Sequence, residues 1–139
     1  MSKFRIIQTN EGFIVQEKFL WFFWLDCAEP AFKTSCDGRV CDRDSIYYIY
    51  DSYNEAINAI ERLKNLYYEY KGHIIQYGYL YSNEIYFVDL SSKYKTYKGD
   101  KAYNIYGKTL EEVKMYIDKE IEKKEKEKNK NKIINIYYV

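Results

Sequence analysis

The sequence predicts an α+β domain: a mainly antiparallel sheet of about seven strands carrying two helices. Three observations carry this reading. Short segments with period-two alternation recur along the chain. Two Ser/Thr-x-x-Glu boxes each open a stretch with apolar residues at helical spacing. The two halves also share a local pattern: YYIYDSYNEAINAI and NIYGKTLEEVKMYI align with Ser52 opposite Thr109, Glu55 opposite Glu112, Ala56 opposite Val113 and Ile60 opposite Ile117. Any strand running into a capped helix produces such a pattern, and so does a pseudo-duplicated β-β-β-α unit.

Residues Lys3 to Thr9 alternate as a strand, Asn10-Glu11-Gly12 supply a turn in which glycine can take positive φ, and Phe13 to Lys18 form the return strand. The aromatic run Phe19 to Leu25 reads as a further extended segment. As a strand it sets Trp21 and Phe23 on one face and Trp24 on the other. Residues 26–44 read as a long polar loop holding Pro30, an Asp37-Gly38 turn and all three cysteines. Ser45 to Asp51 is the next strand.

Ser52 and Glu55 form a capping box, and Tyr53, Ala56, Ile57, Ile60, Leu63 and Tyr67 make an apolar stripe that ends at Gly72. His73 to Tyr81 and Glu84 to Leu90 flank a Ser82-Asn83 turn, and Ala102 to Tyr106 is a short strand. Thr109 and Glu112 repeat the capping box ahead of a stripe of Leu110, Val113, Ile117 and Ile121. Residues 118–132 carry five acids and seven lysines, including the i,i+4 pairs Glu120–Lys124 and Glu122–Lys126. They read as a solvated helical extension that returns Lys132 to Val139 to the sheet as a last strand.

Composition excludes several classes. The chain of 139 residues fits one domain, 1–139, and its net charge of +1 is not the footprint of a dedicated polyanion binder. Its longest apolar run, Phe19 to Leu25, is far shorter than the ~18–20 residues that span a bilayer. No membrane partner and no secretory leader are therefore expected. Three cysteines, an odd number, suit reduced thiols in a cytoplasmic setting better than a disulfide framework. The 18 tyrosines accompany abundant Lys, Asn and Ile, and AT-rich codons account for part of that excess.

Four constellations could carry chemistry. Cys27, Cys36, Cys41 and His73 would make a Cys₃His zinc set, but only Cys36-x₄-Cys41 approaches the usual close pair, and no metal or other cofactor is expected. His73 is the only imidazole and stands beside no nucleophile signature, and the six glycines form no phosphate-binding motif, so no enzyme and no catalytic residue is expected. Lys93, Tyr94, Lys95, Tyr97, Lys98 and Lys101 interleave cations for phosphates with rings for bases, the pattern of a single-strand nucleic-acid site. On an exposed edge, the same lysines discourage aggregation. The fourth is the aromatic run, apolar on both faces: either it is a strand sandwiched inside the domain's own core, or Trp21, Phe23 and Trp24 form a protein-binding surface for another protein or a second copy of the chain.

The hairpin FRIIQTNEGFIVQEK, the run FLWFFW and the unit YYIYDSYNEAINAIERL resemble small accessory proteins of bacteriophages and mobile elements, the anti-defence, anti-CRISPR-like type among them. That resemblance implies a cytoplasmic, non-enzymatic inhibitor that blocks a host protein or ribonucleoprotein. The alternatives are a small nucleic-acid-binding protein using segment 91–108 and a virion structural component.

Overall fold

The structure, a computed structural model, describes residues 3–34, 40–81, 84–95 and 101–139. It is α+β, with two helices and two sheets instead of one. The smaller sheet has three strands in the order β1 (Phe4–Thr9), β2 (Gly12–Phe19), β3 (Phe23–Asp26). The larger has eight: β4 (Ala28–Thr34), β5 (Val40–Tyr47), β6 (Tyr67–Tyr70), β7 (His73–Leu80), β8 (Glu84–Asp89), β9 (Lys93–Lys95), β10 (Lys101–Tyr103) and β11 (Tyr106–Gly107). They are ordered β11-β8-β7-β4-β5-β10-β9, with β6 also on β7. Pairing is antiparallel except between β4 and β7, where Ala31 lies opposite Tyr79.

Gly12 starts β2 at φ +145°, and its bare Cα lets Tyr50 approach so closely that a Cβ would lie 2.5 Å from the Tyr50 carbonyl oxygen. Phe13 and Tyr50 exchange backbone hydrogen bonds of 2.8 Å there, which ties the small sheet to the segment entering α1 (Tyr53–Lys64). Ser52 caps α1 by accepting the Glu55 amide at 3.1 Å, and the Glu55 carboxylate accepts the Asp51 amide. Thr109 and Glu112 repeat this geometry at α2 (Leu110–Lys130), the Glu112 carboxylate accepting the Lys108 amide. The carboxylate thus returns to the residue before the cap and not to the cap itself.

α1 packs on the small sheet, burying Ala56, Ala59 and Ile60 against Val15 and Tyr50. α2 packs on the large sheet, burying Val113 and Ile117 against Ile75. A third core gathers Phe32, Val40, Leu80, Tyr86, Val88 and Tyr103 on the other face of the large sheet. There, the Phe32 ring lies over Gly78, where a Cβ would come within 2.5 Å of it.

Several expectations are corrected. The aromatic run is not one strand: β2 ends at Phe19, Leu20 to Phe22 turn the chain, and β3 starts at Phe23. The expected loop 26–44 contains β4 and β5, because only Cys27 separates β3 from β4 and the chain passes directly from one sheet to the other. Its Asp37-Gly38 turn and Cys36 lie outside the described residues, as does the Ser82-Asn83 turn.

The α1 stripe stops at Leu63. Asn65 leaves helical geometry, so Tyr67 belongs to β6. Gly72 is not a helix stop. With Lys71 (φ +48°) it forms the two-residue β6–β7 turn, both residues at positive φ as a type I′ hairpin requires. Among the described residues, five strands precede α1 and six lie between the helices, so the halves share a strand-to-helix junction and not a β-β-β-α unit. Asp118, placed by sequence in the solvated extension, accepts hydrogen bonds from Tyr70 and Lys71, and the free part of α2 begins beyond Ile121. Residues 132–139 form no strand with any described residue.

Ser52→Ala and Thr109→Ala are each expected to lower stability by about 0.5–2 kcal/mol. Chemical-denaturation midpoints check this, and unchanged midpoints would remove the caps from the account.

Candidate protein-binding surface

The β2–β3 hairpin overhangs the small sheet. Register puts Phe4, Ile6, Val15, Glu17, Phe19, Phe23 and Leu25 on the face toward α1, and Arg5, Gln16, Lys18, Trp24 and Asp26 on the other. Past the end of α1 no described residue covers the inner face, and Phe19, Phe23 and Leu25 stay about half exposed. The three turn residues are wholly apolar: Leu20 is 61% exposed, Trp21 88% and Phe22 70%. Leu20 sits at φ +56°, a left-handed conformation that costs a residue with a Cβ about 1–2 kcal/mol. The Phe22 and Phe23 rings pack at 4.5 Å.

Trp21, Phe23 and Trp24 therefore play different parts. Trp21 stands at the tip and Phe23 on the overhanging inner face. Trp24 lies on the outer face, its ring under the Arg5 guanidinium at 4.3 Å and 5.9 Å from the Lys18 ammonium. Arg5 also donates to Gln16 and Gln16 to Asp26, at 2.8 and 2.7 Å, so this outer face is a polar ladder that half-covers Trp24. The tip differs from both faces in lacking any polar partner among the described residues.

Beneath the overhang runs an open groove of about 710 Å³, with Phe4, Phe19, Leu25, Leu63, Leu66 and Tyr67 along it. The Lys3–Glu17 ion pair (3.0 Å) stands at its rim. Cys27 also lines it, and burial, with Glu17 and Asp26 nearby, pushes its thiol up to about 11. A thiol so protonated is a poor nucleophile and metal ligand at neutral pH.

The other candidate residues are dispersed. His73 Nδ1 lies 2.8 Å from Asp89 Oδ2, and the buried Asp89 also accepts the Ser91 amide; this pair braces the ends of β7 and β8. Cys36 lies outside the described residues, and of Cys41 only the strand position is described. Among the described residues, no three His, Cys, Asp or Glu side chains gather as a metal site would require. Lys93, Tyr94 and Lys95 form β9, and Lys101 opens β10 with Lys101 opposite Lys95 and Tyr94 opposite Ala102. Tyr97 and Lys98 fall outside the described residues.

Sequence reasoning missed the cluster around Glu29, which has no exposed surface. Arg62 donates to it through Nε at 2.7 Å and Nη2 at 3.0 Å; the hydroxyls of Tyr50 and Tyr79 donate at 2.7 Å and that of Tyr77 at 3.2 Å. Burial alone would raise the Glu29 carboxyl, but the bonds from Arg62, Tyr79 and Tyr50 outweigh it and hold the group below the usual carboxylate range. The three hydroxyls are pushed up, by burial first and by Glu29 second in Tyr50 and Tyr79; Glu29 likewise follows burial in Tyr77. None of these groups changes protonation near neutral pH, so the cluster acts as a clamp and not as a proton relay.

No family model matches the chain, and neither a curated protein nor a solved structure matches it.

Glu29→Gln leaves Arg62 without its counter-charge and is expected to cost about 3–5 kcal/mol at pH 7, the penalty of breaking a buried pair. In the unfolded chain a Glu titrates near pH ~4.3. The folded value is lower, so the stability that ionised Glu29 confers is complete above about pH 5 and is lost as pH falls from there through the folded value. Thermal melts from pH 7 to 3 should show the wild-type advantage over Glu29→Gln shrinking on the acid side. A constant difference would sink this account of the clamp.

Proposed function

We propose that this chain is a non-enzymatic binding protein that engages a protein surface with the tip and inner face of the β2–β3 hairpin. The target class is the one the sequence resemblance implies, a host protein or ribonucleoprotein whose working surface is blocked. The observation that carries this reading is the Leu20-Trp21-Phe22 turn. An apolar three-residue turn with a leucine at positive φ adds little to the fold: its side chains are mostly exposed and its first residue is strained. Strain and exposed aromatics held together on a rigid element are features of contact sites. Phe19, Phe23, Leu25 and the groove beneath extend the apolar area from the tip toward the body.

Trp21→Ala with Phe22→Ala is expected to leave the melting temperature within about 2 °C of wild type, because neither ring supports the fold. If the tip is a hot spot, the double variant should bind its target at least about 30-fold more weakly, the equivalent of 2 kcal/mol. Tagged wild-type and variant chains, used in parallel to recover partners from extract of the host bacterium, provide the comparison. Equal recovery by both chains would discard the hairpin as the contact. Recovery that disappears steeply with salt or nuclease would favour the nucleic-acid reading instead.

A further inference from the structure

We infer that residues 132–139 of one copy add as a strand to the free edge of β1 in a second copy. Three features outside the hairpin tip converge here. The first is the segment itself, Lys-Ile-Ile-Asn-Ile-Tyr-Tyr-Val. Its composition is that of a strand, yet it lies in solvent outside any strand, with Ile134 89% and Tyr138 92% exposed. Its alternate residues Ile134, Ile136 and Tyr138 would share one face, with Lys132 at its start.

The second is the edge. The Lys18 amide donates to the Lys3 carbonyl, and register then makes Arg5–Gln16 and Ile7–Ile14 the hydrogen-bonded pairs of β1 and β2. The backbone groups of Phe4, Ile6 and Gln8 therefore point outward, and no described residue bonds to them. With six residues and a single charge, Arg5, β1 is the longest free edge of the small sheet and has little of the usual protection.

The third is the groove beside that edge, about 510 Å³ between β1 and α1. The apolar stripe of α1 is wider than the three strands beneath it. Tyr53 (55% exposed) and Ile57 (37%) project past β1 with Ile60 behind them. A strand beside β1 with Ile134, Ile136 and Tyr138 turned toward α1 would cover both residues and satisfy the outward backbone groups.

The exposure of the segment in its own chain favours a second copy over the chain's own body. α2 packs on the other sheet, and its turns from Glu122 to Lys130 run about 14 Å beyond the last packed residue, Ile121. The eight-residue segment spans at most about 26 Å, and pairing along β1 uses about 20 Å of it. In its own chain the segment stays exposed, and no described residue pairs with it. In a symmetric exchange, two segments rich in isoleucine and tyrosine would bury on the order of 1,200 Å² or more, within the range of stable interfaces.

The full-length chain is tested by sedimentation equilibrium between 1 and 100 µM, with its melting curve recorded alongside. The expected result is a reversible dimer. Ile134→Asp with Ile136→Asp should weaken it at least tenfold. So should Gln8→Pro, which removes an outward N–H from the edge without touching a β1–β2 bond. Both variants should melt like the wild-type monomer. Trp21→Ala should leave the dimer intact, which separates this inference from the function proposed for the hairpin. A chain monomeric at 100 µM overturns the inference; if its Ile134 and Ile136 amides are then protected from exchange, the segment docks on its own body. A dimer that survives either the tail or the edge substitution overturns it equally.

Discussion

A single buried carboxylate holds the two halves of this molecule in register. Glu29 lies near the start of β4, directly after the chain has left the small sheet. It receives Arg62 from α1, Tyr50 from the segment bridged to β2, and Tyr77 and Tyr79 from β7. The small sheet with its helix on one side and the large sheet on the other thus converge on two oxygen atoms. A buried charge is tolerable only when paired and fully hydrogen-bonded, so the elements that supply those donors must come together at once. Apolar packing alone would let α1 slide along its stripe, whereas the two directed bonds from Arg62 fix its position.

The cores around the clamp are small. Among the described residues, three clusters of buried side chains are distributed over the sheet faces in place of a single apolar centre, and each helix covers only part of a sheet. This distribution explains why apolar surface is left over at the margins. The inner face of the hairpin outruns α1 at one end, and the stripe of α1 outruns β1 at the side. Both surpluses lie on the small sheet, while α2 spends its two buried residues on the large one.

What could be read in the sequence was whatever is decided locally. Ser52 and Thr109 cap their helices because the signal and the structure lie within four residues of each other. β1, β2, β7 and β8 were legible from alternation. Tyr67 continues the helical period of α1 although the helix has already ended at Asn65, and only the pairing with Gln76 makes it a strand residue. The turn at Leu20 to Phe22 holds none of the residues that mark turns, so a hairpin there reads as uninterrupted strand. β4 was hidden because Glu29 and Pro30 both argue against a strand until their distant partners are known. The Glu29 cluster joins positions up to 50 residues apart, beyond anything that spacing can reveal. Of the candidate site, the aromatic composition of the run was visible, but not the division of labour between Trp21 at the tip and Trp24 under Arg5.

The passage from β3 to β4 through Cys27 alone has a mechanical meaning. The Cys27 amide donates to the Val15 carbonyl at 2.9 Å, so even this joint is held. The apolar tip is therefore the far end of a beam whose other end is anchored at Glu29, three residues past Asp26. A loop of similar composition would lose conformational freedom on meeting a partner, and that entropy would be subtracted from the affinity. In the hairpin that ordering has already occurred during folding, so a partner meeting the exposed rings would lose less affinity to it.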